Sequence, residues 1–471
     1  MHGDSTAAPR AALRFDARFM VAAAAILIGA FLVPPLFRGA MIALSVVAIV
    51  LAPLPAGTRG VTFAAMIGLA TGIASVNLFA VGIFQGPITK EFGWTQTQYS
   101  VVTLVGTIVT VASSLYIGKL FDRQGVRRWA LVSILLFGGA LISLYWLTPN
   151  LWHFYAVFAL MPLIGAGTSS IAYSRVIAAW FDQRRGQAFG AALAGIGIGG
   201  ALLSTVSQFL IGNYGWRTAY AGIGLLSILA TFPLVFSKLY DSPGDVGLGL
   251  DGRKPDESAT TAAAPTVPAL VGFSAHQSRR MPRFWMMFGS FLLLAFGIGG
   301  VLIPLVPILR ARGIEPEQAA AVQGALGIAL IVGRAFAGFL MDRFFAPRVA
   351  VIILIFPMIG ISMLALDATG FTALIAAVCI GLAAGAELDV IAVLVTRYFG
   401  NVAYGENYGW QYAAWTFGSG SAVVVTNRVY DALGTHTPVL WAYVGFFALS
   451  CVLILRLGRY PELPPAVKDN L

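Results

Sequence analysis

Four ionisable side chains stand inside long apolar stretches of this chain: Arg175, Arg334, Glu387 and Asp389. Two cations and two anions sum to zero. A charge in hydrocarbon is costly, so such groups pair with one another or line a water-filled path. Arg334 lies in the middle of "IALIVGRAFAGFLMDRF", residues 328–344. A guanidinium there has two chemical uses. It ties two spans together as an ion pair, or it grips a carboxylate with its planar fork. Arg334 comes eight positions before Asp342, and Asp389 eight before Arg397. At 1.5 Å per residue both therefore sit roughly 12 Å from the same boundary and can meet. Glu387 and Asp389 are about 200° apart on a helix, so only one of them points at Arg334. Asp389 is the favoured partner, with Glu387 in reserve, and which of them faces a cavity stays open. Arg175, five positions before Trp180, can reach the nearby surface along its own stem. Trp415, Gln411, Tyr173 and Ser170 are softer candidates for a cavity wall, and each also fits ordinary helix packing.

Nothing beside these charges points to metal or covalent chemistry. Cys379 and Cys451 lie in apolar runs, and His2, His153, His276 and His436 fall in loops, tails or span ends. None stands at metal-ligand spacing, and no phosphate-binding glycine loop of the Walker type is present. An enzyme, a metal site, a cofactor and ATP coupling within the chain are not expected. A receptor would usually add a soluble output domain, and none is visible.

The elements that must hold the charges are membrane spans. Of 471 residues, 58% are hydrophobic and 11% charged, with a mean hydropathy of +0.83. A soluble domain carries about 25% charged residues. A bilayer core of about 30 Å needs about 20 apolar residues in a helix. Spans are expected near 61–84, 98–118, 128–147, 152–180, 186–212 and 216–237, then near 284–309, 317–341, 348–366, 370–397, 404–430 and 437–457. Residues 20–55 form a further apolar region, split by Pro34, Pro35 and Arg38, which reads as an added hairpin. Its second arm is short, so a re-entrant hairpin is an alternative. A signal peptide fits less well, because Asp4 and Asp16 stand in its leading segment and no small-residue cleavage site follows. The expected architecture is an all-α polytopic membrane protein of about fourteen spans.

With the N-terminus inside, cytoplasmic segments hold 22 basic residues and outer segments 6. That bias places both termini, residues 1–19 and 459–471, in the cytoplasm. It also accounts for the net charge of +10 without nucleic acid as a partner. Trp129, Trp146, Trp152, Trp180, Trp216, Trp285 and Trp441 mark span ends as an aromatic belt would. Residues 238–283, rich in Gly, Pro, Ala, Ser and Thr, read as a flexible cytoplasmic linker. Its end, "SRRMPRFW" (278–285), fits a segment lying on the inner leaflet.

The chain repeats itself. Gly118, Asp122 and Arg123 match Gly338, Asp342 and Arg343 at an offset of 220. Trp180-Phe181 matches Tyr398-Phe399 at 218, and Gly186 and Gly190 match Gly405 and Gly409 at 219. A near-constant offset implies two related halves, 61–237 and 284–458, with a site between them at mid-membrane.

"GKLFDRQGVRR" (118–128) resembles the loop motif of the major facilitator superfamily, through Gly118, Asp122, Arg123, Gly125, Arg127 and Arg128. Other stretches resemble the monocarboxylate and oxalate–formate branch: "EFGWTQTQYS" (91–100), "WFDQRRGQAFG" (180–190), "GNYGWRTAY" (212–220), "DSPGDVGLGLDG" (241–252) and "GRAFAG" (333–338). "GAELDVIAVLVTRYFG" (385–400) is similar to a pattern of bacterial relatives, and arginine far outnumbers lysine. The resemblance implies a monomeric secondary transporter of a small organic anion in a bacterial inner membrane, coupled to protons. It implies Arg334 as carboxylate anchor and a gating role for Asp122 and its copy, Asp342 with Arg343. Arg123, Arg127 and Arg128 can hold the negative pole at the helix end beside Asp122 and a neighbouring helix together on the cytoplasmic side. The sequence departs from the branch at Leu330, where proton-linked animal members carry Asp, and it lacks their first-span lysine and the eleventh-span lysine of oxalate–formate members. With one central cation fewer, dicarboxylate exchange is less well supported. Export of amphipathic drugs is the alternative, with no strict need for Arg334. In the expected mechanism Asp389 neutralises Arg334 in the empty site. Substrate then competes for the guanidinium, and the displaced acid becomes easier to protonate.

Single cysteines at Ala56 and Thr260 should react with impermeant maleimide only from the cytoplasmic side, and one at Asn150 only from outside. Labelling of position 56 from outside removes the N-terminal hairpin.

Overall fold

A computed structural model of the chain describes residues 51–52, 54–77, 81–253 and 271–465. The expected hairpin at 20–55 lies almost wholly outside these residues, as does 254–270 of the linker. The regular structure of the described residues is helical, apart from isolated bridges at Val271–Pro465 and Gly272–Gly400. The first group comprises α1 (Ala56–Ala70), α2 (Val81–Phe92), α3 (Gln96–Gln124), α4 (Arg127–Ser143), α5 (Leu151–Ile164), α6 (Ser170–Trp180) and α7 (Arg185–Lys238). The second comprises α8 (Ala275–Arg280), α9 (Pro282–Leu302), α10 (Leu305–Arg310), α11 (Pro316–Arg343), α12 (Ala346–Ala365), α13 (Gly370–Phe399), α14 (Tyr404–Leu433) and α15 (Thr437–Arg456). Helices dominate because a bilayer offers no water to backbone N–H and C=O groups. Large apolar side chains such as Ile108, Leu229, Ile328, Phe336 and Val424 point outward, where lipid rather than water suits them.

Eight of these helices are long and apolar enough to cross a bilayer, fewer than the expected spans. Two broken spans and one merged pair account for most of the difference; α14 is unbroken but falls outside the eight, and α9 is among them although its span is also broken. The span expected at 61–84 is α1 and α2, parted at extended Gly72. The span at 152–180 is α5 and α6, parted after Gly165. The span at 284–309 is α9 and α10, parted before Pro304. The spans at 186–212 and 216–237 run together as α7, turned at Gly215 where φ is 83°. Neighbours satisfy the freed backbone groups. Ile73 N donates to Thr168 Oγ1 at 3.2 Å, so the first break leans on the second. Gly167 N donates to Ser133 Oγ at 3.0 Å. Pro304 has no N–H for Gly300 O, and Thr426 Oγ1 donates to that carbonyl instead at 2.9 Å.

The groups meet through α3 against α14 and α7 against α11, which are equivalent pairs under the repeat. On the linker side the backbones touch. A Cβ on Gly118 would overlap the Gly405 carbonyl, and one on Gly186 would overlap that of Gly338. Gly405 N and Glu406 N donate to the Asp122 carboxylate, each at 2.9 Å. Gly186 N and Gln187 N donate to that of Asp342 at 2.5 and 2.9 Å. Each motif aspartate thus caps the positive N-terminal pole of a helix in the other group. This corrects the expectation for Arg123 and Arg128, while Arg127 does hold the C-terminal end of a neighbouring helix, α7. Arg123 and Arg128 are exposed, and Arg127 donates to Phe236 O at 2.7 Å and lies over the Tyr240 ring. Asp122 pairs instead with Arg175, whose Nε is 2.9 Å from Oδ1, so Arg175 does not extend to the surface alone. Arg343 is exposed and lies over the Phe339 ring.

The described part of the linker is also less free than its composition implies. The Asp241 carboxylate accepts from Val126 N and Arg127 N at 2.6 and 3.1 Å, holding the start of α4. Asp251 accepts from the backbone of Asp182, Gln183 and Arg184 ahead of α7. In α8, Ser274 and Gln277 form a capping box, and Arg279 pairs with Glu406.

Gly118→Val should force the linker side open. Ser174 is buried on α6, which packs against α14. Ser174→Cys should then react with maleimide from the linker side roughly tenfold faster or more than without the valine, the effect of about 1.4 kcal/mol on a two-state balance. An unchanged rate means that these glycines do not set the closed state.

Candidate functional site

Small residues bring α11 and α13 into backbone contact. A Cβ on Gly333 would overlap the Leu382 carbonyl, and one on Gly385 that of Leu330. That closeness lets Arg334 of α11 reach α13. Its Nε donates to Gly385 O at 2.7 Å and lies 3.4 Å from Asp389 Oδ2. Its Nη1 donates to Leu193 O on α7, in the first group of helices. One buried guanidinium therefore joins three helices and both groups. Nη2 takes part in none of these bonds, and Arg334 lines a cavity.

The two acids face different ways, as two positions on a helix require. Asp389 is wholly buried, and neither oxygen has a hydrogen bond; its neutralising contact is the ion pair with Arg334. Glu387 lines the cavity. Trp415 Nε1 of α14 donates to its Oε2 at 2.6 Å, and Oε1 has no partner.

The cavity has a volume of about 270 Å³ and lies between the groups. All three helix breaks contribute to its wall, through Ile73 and Asn77, through Ala166 and Ser169, and through Leu302 and Ile303. Irregular backbone at membrane depth is tolerated where it lines such a space. The lining reaches Ile117, next to the Gly118–Gly405 contact, and climbs α3 to Val102. The wall is mostly apolar, and its charged side chains among the described residues are Arg334 and Glu387. Among the described residues, the hydrogen bonds between the groups lie at this level or on the linker side: Arg334 to Leu193, Arg397 to Asp182 O, Asn401 to Ala178 O, and the two aspartate caps.

Of the four candidates expected to touch substrate, Arg334 and Trp415 line the cavity. Gln411 and Tyr173 do not. Gln411 is buried and its Nε2 lies 3.4 Å from Phe284 O. Tyr173 packs against Gly68, where a Cβ would overlap its hydroxyl. Ser170 does line the wall. Sequence reasoning missed the hydroxyl stripe of Thr103, Thr107, Thr110 and Ser114 on α3. Its spacing of i, i+4, i+7 and i+11 marks one helix face, a signal present in the sequence. Tyr412, stacked on Trp415 at 5.7 Å, was missed as well. No three His, Cys, Asp or Glu side chains among the described residues stand close enough to hold a metal.

The sequence matches the family model of the Major Facilitator Superfamily over residues 65–423 and again over 290–468, and the chain belongs to that family. It is 28% identical to monocarboxylate transporter 12-B of Danio rerio over 272 residues, 55% of this chain and 56% of that protein. It is 27% identical to the 3-(3-hydroxy-phenyl)propionate transporter of Escherichia coli, covering 81% of this chain and 88% of that one. It is 26% identical to the oxalate:formate antiporter of Oxalobacter formigenes, covering 80% and 87%. Its fold is similar to that of the proton:xylose symporter XylE, with a TM-score of 0.67 at 16% identity over 84% of this chain and 95% of that one. The protein is thus a membrane transporter and not an enzyme.

Arg334→Gln leaves Asp389 buried without its cation. Removing one member of a buried pair costs on the order of 3–5 kcal/mol. The thermal midpoint of the purified protein should fall, and Asp389→Asn added to Arg334→Gln should recover most of the loss. A midpoint that does not move shows that the pair carries no stability.

Proposed function

We propose that this transporter carries a small monocarboxylate with an apolar body, by alternating access and with a proton as coupling ion. The observation that carries the reading is that Arg334, whose hydrogen bonds and ion pair use Nε and Nη1 and leave Nη2, lines a cavity whose wall is otherwise mostly apolar. A carboxylate at Nη2 leaves its body against Trp415, Tyr412 and the hydroxyl stripe of α3. To gain the full fork it must also take Nη1 from Leu193 O, which loosens a tie between the two groups. Substrate binding and release of the linker side are then linked through one side chain. A single lining cation suits one carboxylate better than two.

The names of the relatives support the anion. Beside those already given, a gallate transporter of Pseudomonas putida is 23% identical over 82% of this chain. Two solved neighbours are proton symporters by title, XylE and the Escherichia coli fucose symporter FucP. The apolar wall also suits an amphipathic drug, and in that reading Arg334 is dispensable. Charge distribution, the repeat and the resemblance to bacterial relatives support the remaining frame. The linker side is cytoplasmic, and the halves are 61–237 and 284–458. The N-terminal hairpin brings the count to fourteen spans, and the protein is a monomer in a bacterial inner membrane.

Proteoliposomes of the full chain should take up some of lactate, benzoate, 3-phenylpropionate and oxalate, favouring the monoacids. Arg334→Lys should weaken apparent affinity roughly 10- to 100-fold, the worth of about one charge-assisted hydrogen bond. Arg334→Gln should abolish uptake. Full uptake by Arg334→Gln of every acid the wild type carries ends the reading in favour of the amphipath.

A further inference from the structure

The expected mechanism has substrate displace Asp389 from Arg334. The geometry argues otherwise. Asp389 is wholly buried behind the guanidinium and does not line the cavity. A carboxylate arriving through the cavity meets Arg334 on its wall, while Asp389, off the wall, stays beside Nε at 3.4 Å. Glu387 shares the cavity wall with Arg334, yet among the described residues it forms no ion pair with it. It has one hydrogen bond, from Trp415, and an oxygen with none.

We propose that Glu387, not Asp389, carries the coupling proton, with Asp389 as the standing counter-ion of Arg334 and Trp415 as the residue that positions Glu387. This deepens the anion-transport reading and rests on it. The argument is a charge count. With both acids ionised, Arg334, Glu387 and Asp389 sum to −1. An added substrate anion makes −2 inside an apolar wall, which is costly. A proton on Glu387 restores −1. The substrate carboxylate thus replaces the glutamate's own charge, and the empty ionised site and the loaded protonated site match. Those two states can cross, and the loaded ionised one cannot. The proton reaches Glu387 from hydronium in the cavity water as the anion binds: one O–H bond of the hydronium breaks, one forms on the carboxylate, and neutral water is left. It leaves to linker-side water after the anion departs. One proton and one monoanion move together, with no net charge.

The surroundings leave few rivals for this role. Facing Glu387 are Arg334 from α11 and Trp415 from α14, with Tyr412 stacked on Trp415 in the same wall. On its other side α9, α12 and α15 present Leu294, Ala350, Ile353, Leu354 and Ile454. From α6 and α7 the cavity wall receives Ser169, Ser170, Ile171, Ile196 and Gly197, none of them ionisable.

The test uses the full chain in vesicles loaded with a pH-sensitive dye, with radiolabelled 3-phenylpropionate, benzoate and lactate as probes. Wild type should accumulate at least one probe down an inward proton gradient and acidify the lumen as it does so. Glu387→Gln should keep counterflow without a gradient, but lose gradient-driven accumulation and lumen acidification. Asp389→Asn should lose both modes. Trp415→Phe removes the hydrogen bond to Glu387 Oε2, so the pH profile of uptake should move while coupling is retained. A Glu387→Gln protein that acidifies the lumen with the wild-type pH profile overturns the proposal. If that variant fails to fold, an unmoved profile in Trp415→Phe overturns it. Wild type that carries none of the probes in either mode sinks the anion-transport reading itself, and this proposal with it.

Discussion

Arg334 stands in the middle of α11, and a cation at that depth must be answered in every state the molecule visits. The answer comes from two carbonyls and one carboxylate on two other helices. Each partner imposes something on the structure. Gly385 O is within reach because Gly333 and Gly385 let α11 and α13 touch backbone to backbone. Leu193 O is within reach because α7 crosses α11 at Gly190, whose ideal Cβ would lie 3.3 Å from Arg334 O. The glycine pattern of three helices can thus be understood as the setting for one guanidinium.

The linker side obeys a related rule. Both caps set a carboxylate against a pair of backbone N–H groups at a helix start, where the helix dipole is positive. The two are not equal. Asp122 adds an ion pair to Arg175, and no such pair accompanies Asp342 among the described residues. The closure consists of short polar contacts and glycine faces. It can part as a rigid-body motion, without repacking large side chains.

Much of this was legible in the sequence. The offset of 220 between Asp122 and Asp342 carries directly into two equivalent caps. Arg334 and Asp389 meet as their matching depths require. What stayed hidden has specific physical causes. Hydropathy records side chains and not hydrogen bonds, so the breaks at Gly72, Gly165 and Pro304 look like continuous spans. The partner of Asp122 lies 283 positions away, and no local pattern names it. The inward faces of Gln411 and Tyr173 depend on helix rotation, which an apolar stretch does not encode when nearly every position is buried. Asp241 and Asp251 sit in a stretch whose composition reads as loose, and their grip on α4 and α7 becomes visible only in three dimensions.

The helix breaks bear on how the chain enters a membrane at all. α5 has 14 residues, about 21 Å of helix, and does not cross an apolar layer of about 30 Å alone. α1 and α2, at 15 and 12 residues, are no better placed. A segment that leaves the insertion machinery with an open backbone gap has unmet N–H and C=O groups until its neighbour arrives. Ile73 N waits for Thr168, which is made 95 residues later. Gly300 O waits for Thr426, 126 residues on. The segments that shape the cavity are therefore content in lipid only once later helices have emerged to meet them.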